Sequence, residues 1–157
     1  MNQPSSPGAV VVDANVIVYI CSKEPTHPMA ENALADYAAK NWTFYAPGVI
    51  VGEVLYVLCR KLKNGLLTEA AHGKAIEIFQ DHMSVILPPP GGDAPLISRA
   101  EVVRSGYGCS RSADGLYVAL TEELMKTGAA EFLTFDKDVV NQVGKNAPTV
   151  KVNLLPA

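Results

Sequence analysis

Hydrophobic residues along the chain form short runs separated by longer amphipathic segments. The short runs, rich in β-branched and aromatic residues, predict strands at residues 10–12, 42–47, 84–87, 131–135 and 149–154. The amphipathic segments predict helices at residues 16–22, 29–40, 48–62, 68–81, 96–105, 113–126 and 136–143. Strands that alternate with helices predict the α/β class, here a three-layer sandwich around a mainly parallel central sheet of four to five strands. The first strand is apolar on both faces and is expected near the centre of that sheet.

Length and composition limit the kind of protein. A chain of 157 residues fits one domain, which we expect to span residues 9–157 after a disordered leader, residues 1–8. The three cysteines, Cys21, Cys59 and Cys109, are widely spaced, which predicts a reduced, cytoplasmic protein without a disulfide scaffold or a zinc site. The longest apolar runs are too short to span a membrane, and a net charge of −3 argues against tight, non-specific binding of nucleic acid.

Two carboxylates directly follow predicted strands. Asp13 interrupts the apolar run "VVVDANVIVYI", and Asp136 follows the strand in "LTFDKD". Because parallel strands end at one edge of the sheet, where ligands bind in such folds, both side chains are expected at that edge. Either residue could instead cap the helix that follows it.

Two further acids lie on predicted helices. Glu53 belongs to an apolar stripe that runs from Val49 to Leu62, so it points towards the core unless it bends into water from the edge of the stripe. Asp114 begins the helix in "SADGLYVALTEEL", where it could be a ligand or a first-turn acid favoured by the helix dipole. Carboxylates that converge repel each other unless a cation lies between them. A cluster of oxygen ligands without His or Cys suits Mg²⁺ or Mn²⁺.

The order of these motifs resembles the PIN-domain ribonucleases, and within them the VapC-like toxins. The resemblance covers about residues 10–154 through the segments "VVVDANVIVY", "APGVIVGEVLYVLCRKL", "SRSADGLYVALTEEL" and "FLTFDKDVV". It implies an endoribonuclease that cleaves single-stranded RNA by attack of a metal-activated water. The implied catalytic and metal-binding acids are Asp13, Glu53, Asp114 and Asp136. Asn15, Ser112 and Thr134 could orient a carboxylate or a water, although turn formation and helix capping are the favoured explanation for Asn15 and Ser112. Asp138 could replace Asp136 as the fourth acid.

Substrate and partners are less constrained by the sequence. Arg111, three residues before Asp114, is the favoured contact to an RNA phosphate, whereas the basic cluster of Arg60, Lys61 and Lys63 could equally be a solvated surface. The resemblance also implies a homodimer and an antitoxin protein that inserts a segment into the acidic pocket. The alternatives are a housekeeping RNA-processing nuclease and a non-catalytic PIN-like module that binds RNA or protein. A phosphatase of the haloacid dehalogenase type is disfavoured because Asn15 stands where it needs a second aspartate.

Overall fold

The structure is a computed structural model that describes residues 7–105 and 114–156, and the side chain of Asp114 lies outside that description. The elements in chain order are β1 (Ala9–Val12), α1 (Ala14–Cys21), α2 (His27–Ala39), β2 (Thr43–Tyr45), α3 (Val49–Lys63), α4 (Glu69–Met83), α5 (Ile97–Ser105), α6 (Asp114–Met125), β3 (Ala130–Thr134), α7 (Lys137–Asn146) and β4 (Lys151–Leu154). A short 3₁₀ turn, Ala94–Leu96, leads into α5. The α/β class predicted from the sequence is confirmed.

The four strands form one parallel sheet in the order β2-β1-β3-β4. In the register of the sheet, Val10 lies between Phe44 of β2 and Glu131 of β3. Val10, Val11 and Val12 are completely buried, as expected for a strand that is covered on both faces. The predicted position of β1 near the centre of a parallel sheet is therefore confirmed.

Two groups of helices cover the sheet. The first four helices pack against one another, with α1 in contact with α2, α3 and α4, while α5 packs against α6 and α7. In the second group, α6 contacts β1 and β3, and α7 contacts β4. The arrangement is the predicted three-layer sandwich.

The prediction of a strand at residues 84–87 is wrong, because backbone N–H groups of this segment donate to the end of the preceding helix and not to a neighbouring strand. Helix α4 continues to Met83, and the N–H groups of Val85 and Ile86 both donate to the carbonyl of His82. Only Leu87 pairs with the sheet, through a single parallel bridge to Tyr45. The proline that follows Leu87 has no N–H, which prevents the pairing from continuing.

The amino-terminal end of the described chain is held by Gly8. Residues 1–6 of the predicted leader lie outside the described residues, but Gly8 is buried and its carbonyl accepts a hydrogen bond from Thr43 N at 3.0 Å. A Cβ atom at this position would lie 2.6 Å from the Trp42 ring, so the close approach requires glycine. Across residues 7–105 and 114–156, no helix is long and apolar enough to cross a membrane.

Candidate active site

Asp13 lies where β1 ends and α1 begins, with only 5% of its surface exposed. Its backbone N–H continues the sheet by donating to Leu133 O at 3.0 Å. Although Asp13 occupies the position that caps α1, its side chain makes no capping hydrogen bond. Capping therefore does not explain why a carboxylate stands here.

A hydrogen-bond network holds the Asp13 carboxylate. Thr134, the fully buried last residue of β3, donates its hydroxyl to Asp13 Oδ2 at 2.7 Å. Asn15 donates from Nδ2 to the same oxygen at 3.3 Å and to Thr134 Oγ1 at 3.2 Å. The amide oxygen of Asn15 in turn accepts from Phe135 N at 3.2 Å. The network joins the ends of the two central strands and fixes the direction of the Asp13 side chain.

Asp136 caps α7 and also faces the same edge of the sheet. Its Oδ1 atom accepts from Asp138 N at 2.9 Å, and its own N–H donates to Thr134 Oγ1 at 3.0 Å. The capping explanation, which fails for Asp13, therefore applies to Asp136. Asp138 is exposed in the first turn of α7, whereas Asp136 is partly buried.

Glu53 extends from α3 towards α6. It is partly buried, and its Oε1 atom accepts a hydrogen bond from the Tyr117 hydroxyl at 2.7 Å. Tyr117 is completely buried and stacks on Phe132 of β3, with the ring centroids 5.6 Å apart. A rigid donor from the second helical group thus positions a carboxylate of the first group, which accounts for a glutamate in an apolar stripe.

Three of the predicted acids line one cleft of about 460 Å³. The cleft lies beyond the carboxyl ends of β1 and β3 and is lined by Asp13, Ala14, Asn15, Val18, Tyr19, Glu24, Glu53, Val57, Lys61 and Asp136. Asp138 is absent from this lining, which favours Asp136 as the acid that belongs to the cleft. Convergence at the strand ends follows from the parallel sheet, because every strand presents its carboxyl end to the same edge.

The remaining predicted residues are only partly covered by the structure. Asp114 is the first residue of α6, three positions before Tyr117, but its side chain lies outside the described part of the chain. Ser112 and Arg111 also lie outside the described residues. Of the basic cluster on α3, Lys61 lines the cleft, whereas Arg60 and Lys63 are exposed.

The donor chemistry of the cleft fits a hard divalent cation. Carboxylates from Asp13, Glu24, Glu53 and Asp136 face one lysine, so negative charge is in excess in this lining. Such an excess attracts a cation, and ligands that are all oxygen suit Mg²⁺ or Mn²⁺. Within the part of the chain that the structure describes, no group of three His, Cys, Asp or Glu side chains is close enough together to hold a metal.

Two residues of the site, Tyr117 and Glu24, were missed by the sequence reasoning, and Lys61 was named only as part of a basic cluster. Tyr117 follows Asp114 by three residues on the same helix, a spacing that can place a polar group beside an active-site acid. Lys61 follows Glu53 by eight residues, so both lie on one stripe of α3. Glu24 gave no signal in the sequence, because it lies in the turn between α1 and α2 and only the fold brings it to the cleft.

The fold and the cleft together define an α/β protein with an acidic cleft at the carboxyl edge of a parallel sheet. A family model of the PIN domain matches residues 10–146, and the chain belongs to the PIN-domain family. A search of curated proteins found no significant match. PIN domains are generally nucleases and typically depend on a divalent metal.

Proposed function

We propose that this PIN domain is a Mg²⁺- or Mn²⁺-dependent endoribonuclease that cleaves single-stranded RNA. The observation that carries the proposal is the shared cleft, which Asp13, Glu53 and Asp136 line although they are far apart in sequence. Membership of the PIN family supports a nuclease. The excess of carboxylates over lysine in the cleft supports dependence on a metal ion.

In this proposal Asp13, Glu53 and Asp114 hold the metal ion, and Asp136 completes the acidic set. Thr134 and Asn15 hold the Asp13 carboxylate in place by donating to its Oδ2 atom. Tyr117 does the same for Glu53 by donating to Oε1. Carboxylates that are already oriented need little rearrangement when a cation binds, which raises the affinity of the site.

The proposed reaction is hydrolysis of a phosphodiester. A water oxygen forms a new bond to phosphorus, the bond from phosphorus to the leaving ribose oxygen breaks, and that oxygen ends with a proton. When bound, the divalent cation supplies a water of lowered pKa and neutralises charge that develops on the phosphoryl oxygens. The buried donors Thr134 and Tyr117 keep the acids aligned during this change.

The direct test is cleavage of a generic single-stranded RNA in Mg²⁺, in Mn²⁺ and in excess chelator. We expect cleavage by the parent protein only when a divalent metal is present, and no cleavage by Asp13→Asn. Asp138→Asn is the matched control, because it makes the same change of charge at a helix start outside the cleft. Cleavage in chelator, or undiminished cleavage by Asp13→Asn, would contradict the proposal.

We further propose that the nuclease is the toxin of a toxin–antitoxin pair, acts in the cytoplasm as a homodimer and is inhibited by an antitoxin segment that enters the cleft. The resemblance to the VapC-like branch supports this role.

Induced expression of the parent protein should stop growth, whereas expression of Asp13→Asn should not. Co-expression of a small DNA-binding protein encoded next to the gene should restore growth. RNA cleavage without an effect on growth would favour a housekeeping RNA-processing nuclease. RNA binding without cleavage would favour a non-catalytic module.

A further inference from the structure

The cleft contains an ion pair that the proposed chemistry does not use. The ammonium group of Lys61 contacts Glu24 Oε1, and the two side chains are 18% and 30% exposed. Lys61 belongs to α3, two turns after Glu53, while Glu24 belongs to the turn between α1 and α2. Both residues line the cleft together with Asp13 and Glu53.

Lys61 is the sole basic side chain in the described lining of this cleft. The other charged groups there, including Asp13, Glu53 and Asp136, carry negative charge and repel a phosphate. A polyanionic substrate that enters the cleft therefore needs a cationic partner, and Lys61 is placed to provide it. In the free protein its ammonium group is already occupied by a carboxylate.

On the basis of the proposed nuclease function, we propose that Lys61 binds a phosphate of the RNA and that Glu24 competes with this phosphate for the Lys61 ammonium group. The exchange replaces one oxyanion by another, so Lys61 keeps a charged hydrogen-bond partner throughout. Glu24, the more exposed partner, returns to water when it is displaced. Glu24 thereby weakens the binding of RNA until a phosphate takes its place.

The same ion pair could instead serve only to fasten the α1–α2 turn to α3. The two explanations differ in the direction in which Glu24→Gln changes the affinity for RNA, compared with Lys61→Met. Lys61→Met and Glu24→Gln both break the ion pair, so a purely structural pair predicts the same change in both variants. A competing pair predicts weaker RNA binding for Lys61→Met and tighter binding for Glu24→Gln.

The experiment measures binding of a labelled single-stranded oligoribonucleotide by fluorescence anisotropy, in chelator to prevent cleavage, from ~25 to ~200 mM salt. We expect Lys61→Met to weaken binding by about fivefold. The negative slope of log K against log salt should become shallower by about 0.7, the value for one phosphate contact on a single strand. We expect Glu24→Gln to tighten binding by about threefold. The double variant should bind like Lys61→Met, because Glu24 acts through Lys61.

Two control variants separate this effect from net charge. Lys63→Met removes a positive charge from the exposed side of α3, and Glu31→Gln breaks an exposed ion pair with Lys23 outside the cleft. Their effects on affinity should be smaller than those of the cleft variants with the same change of charge. Effects as large as those in the cleft would show that net charge is responsible and would overturn the proposal.

The result also separates this inference from the proposed function. If the parent protein cleaves RNA but Lys61→Met binds RNA as the parent does, or both cleft variants change affinity in the same direction, the role of Lys61 and Glu24 is refuted and the nuclease stands. If the parent neither binds nor cleaves RNA, both proposals fail. Melting temperatures of the variants check that each protein is folded at the assay temperature.

Discussion

Replacing Thr134 by Val removes one hydroxyl from the centre of the hydrogen-bond network and leaves the shape of the side chain nearly unchanged. Thr134 is completely buried, and its hydroxyl donates to Asp13 Oδ2 at 2.7 Å while it accepts from Asn15 Nδ2 and Asp136 N. A hydroxyl has one donor and two acceptor sites, so this group is fully used. Valine fills the space but satisfies none of the three partners.

The magnitude follows from the partners that are lost. A hydrogen bond to a charged group contributes about 1.5–3 kcal/mol, and the loss of a partner for the Asp136 N–H adds about 1 kcal/mol. Asn15 keeps its contact with Asp13, at 3.3 Å, and adds little. We therefore expect Thr134→Val to lower the free energy of unfolding by about 2.5–4 kcal/mol without leaving a cavity, which is a large fraction of the stability of a typical domain.

Thr121→Val is the matched control. Thr121 is also completely buried, but its hydroxyl donates at 2.8 Å to the carbonyl of Tyr117 within its own helix. A hydrogen bond of this kind contributes little to helix stability, so the loss should be about 1 kcal/mol or less. Urea denaturation of both variants in chelator, with the m-value compared to that of the parent, measures the difference. If Thr134→Val falls within ~1 kcal/mol of Thr121→Val, the network does not hold Asp13 as argued.

Two further predictions concern packing and thiol chemistry. Gly115→Ala should destabilise the protein by about 1–3 kcal/mol in thermal melting, because a Cβ there would lie 2.5 Å from a backbone oxygen of α5. Gly144→Ala is the control: it has open space around it and should be neutral or stabilising. A melting temperature of Gly115→Ala as high as that of Gly144→Ala would contradict the close contact between α5 and α6. Burial raises the pKa of the Cys21 thiol to about 12. In a Cys109→Ser background at pH 8, a thiol reagent should therefore label exposed Cys59 quickly and Cys21 only after unfolding. Equal labelling rates in the folded protein would show that Cys21 is accessible.

The sequence predicted the parts of the fold and the site that depend on local patterns. Asp13 and Asp136 could be placed at one edge because each follows a strand of a parallel sheet, and the stripe on α3 indicated that Glu53 faces inwards. The strand predicted at residues 84–87 failed because an apolar run does not show whether its backbone N–H groups bond to a neighbouring strand or to the preceding helix. In this segment the N–H groups of Val85 and Ile86 donate to a carbonyl of α4, and only Leu87 pairs with the sheet.

What could not be predicted depends on contacts between distant segments. The donor to Glu53 is Tyr117, 64 positions away, and the partner of Lys61 is Glu24, 37 positions away. No local pattern relates such residues, because the three-dimensional packing of α3 against its neighbours determines which side chains meet. Thr134 was identified as a neighbour of the site, but its contact with Asp13 spans 121 positions and required the register of β1 and β3.

The central claim is that the acids of the cleft bind a divalent metal, and the most direct measurement is thermal melting during titration with Mn²⁺. Ligand that binds only the folded state raises its stability by RT ln(1 + [L]/Kd), which is about 1.4 kcal/mol at ten times Kd. If these acids bind the metal, the melting temperature rises clearly for the parent and for Asp138→Asn, and the rise is strongly reduced for Asp13→Asn and Glu53→Gln. An equal rise in all four proteins, or no rise in the parent up to ~5 mM metal, would contradict the claim that this cleft is a metal site.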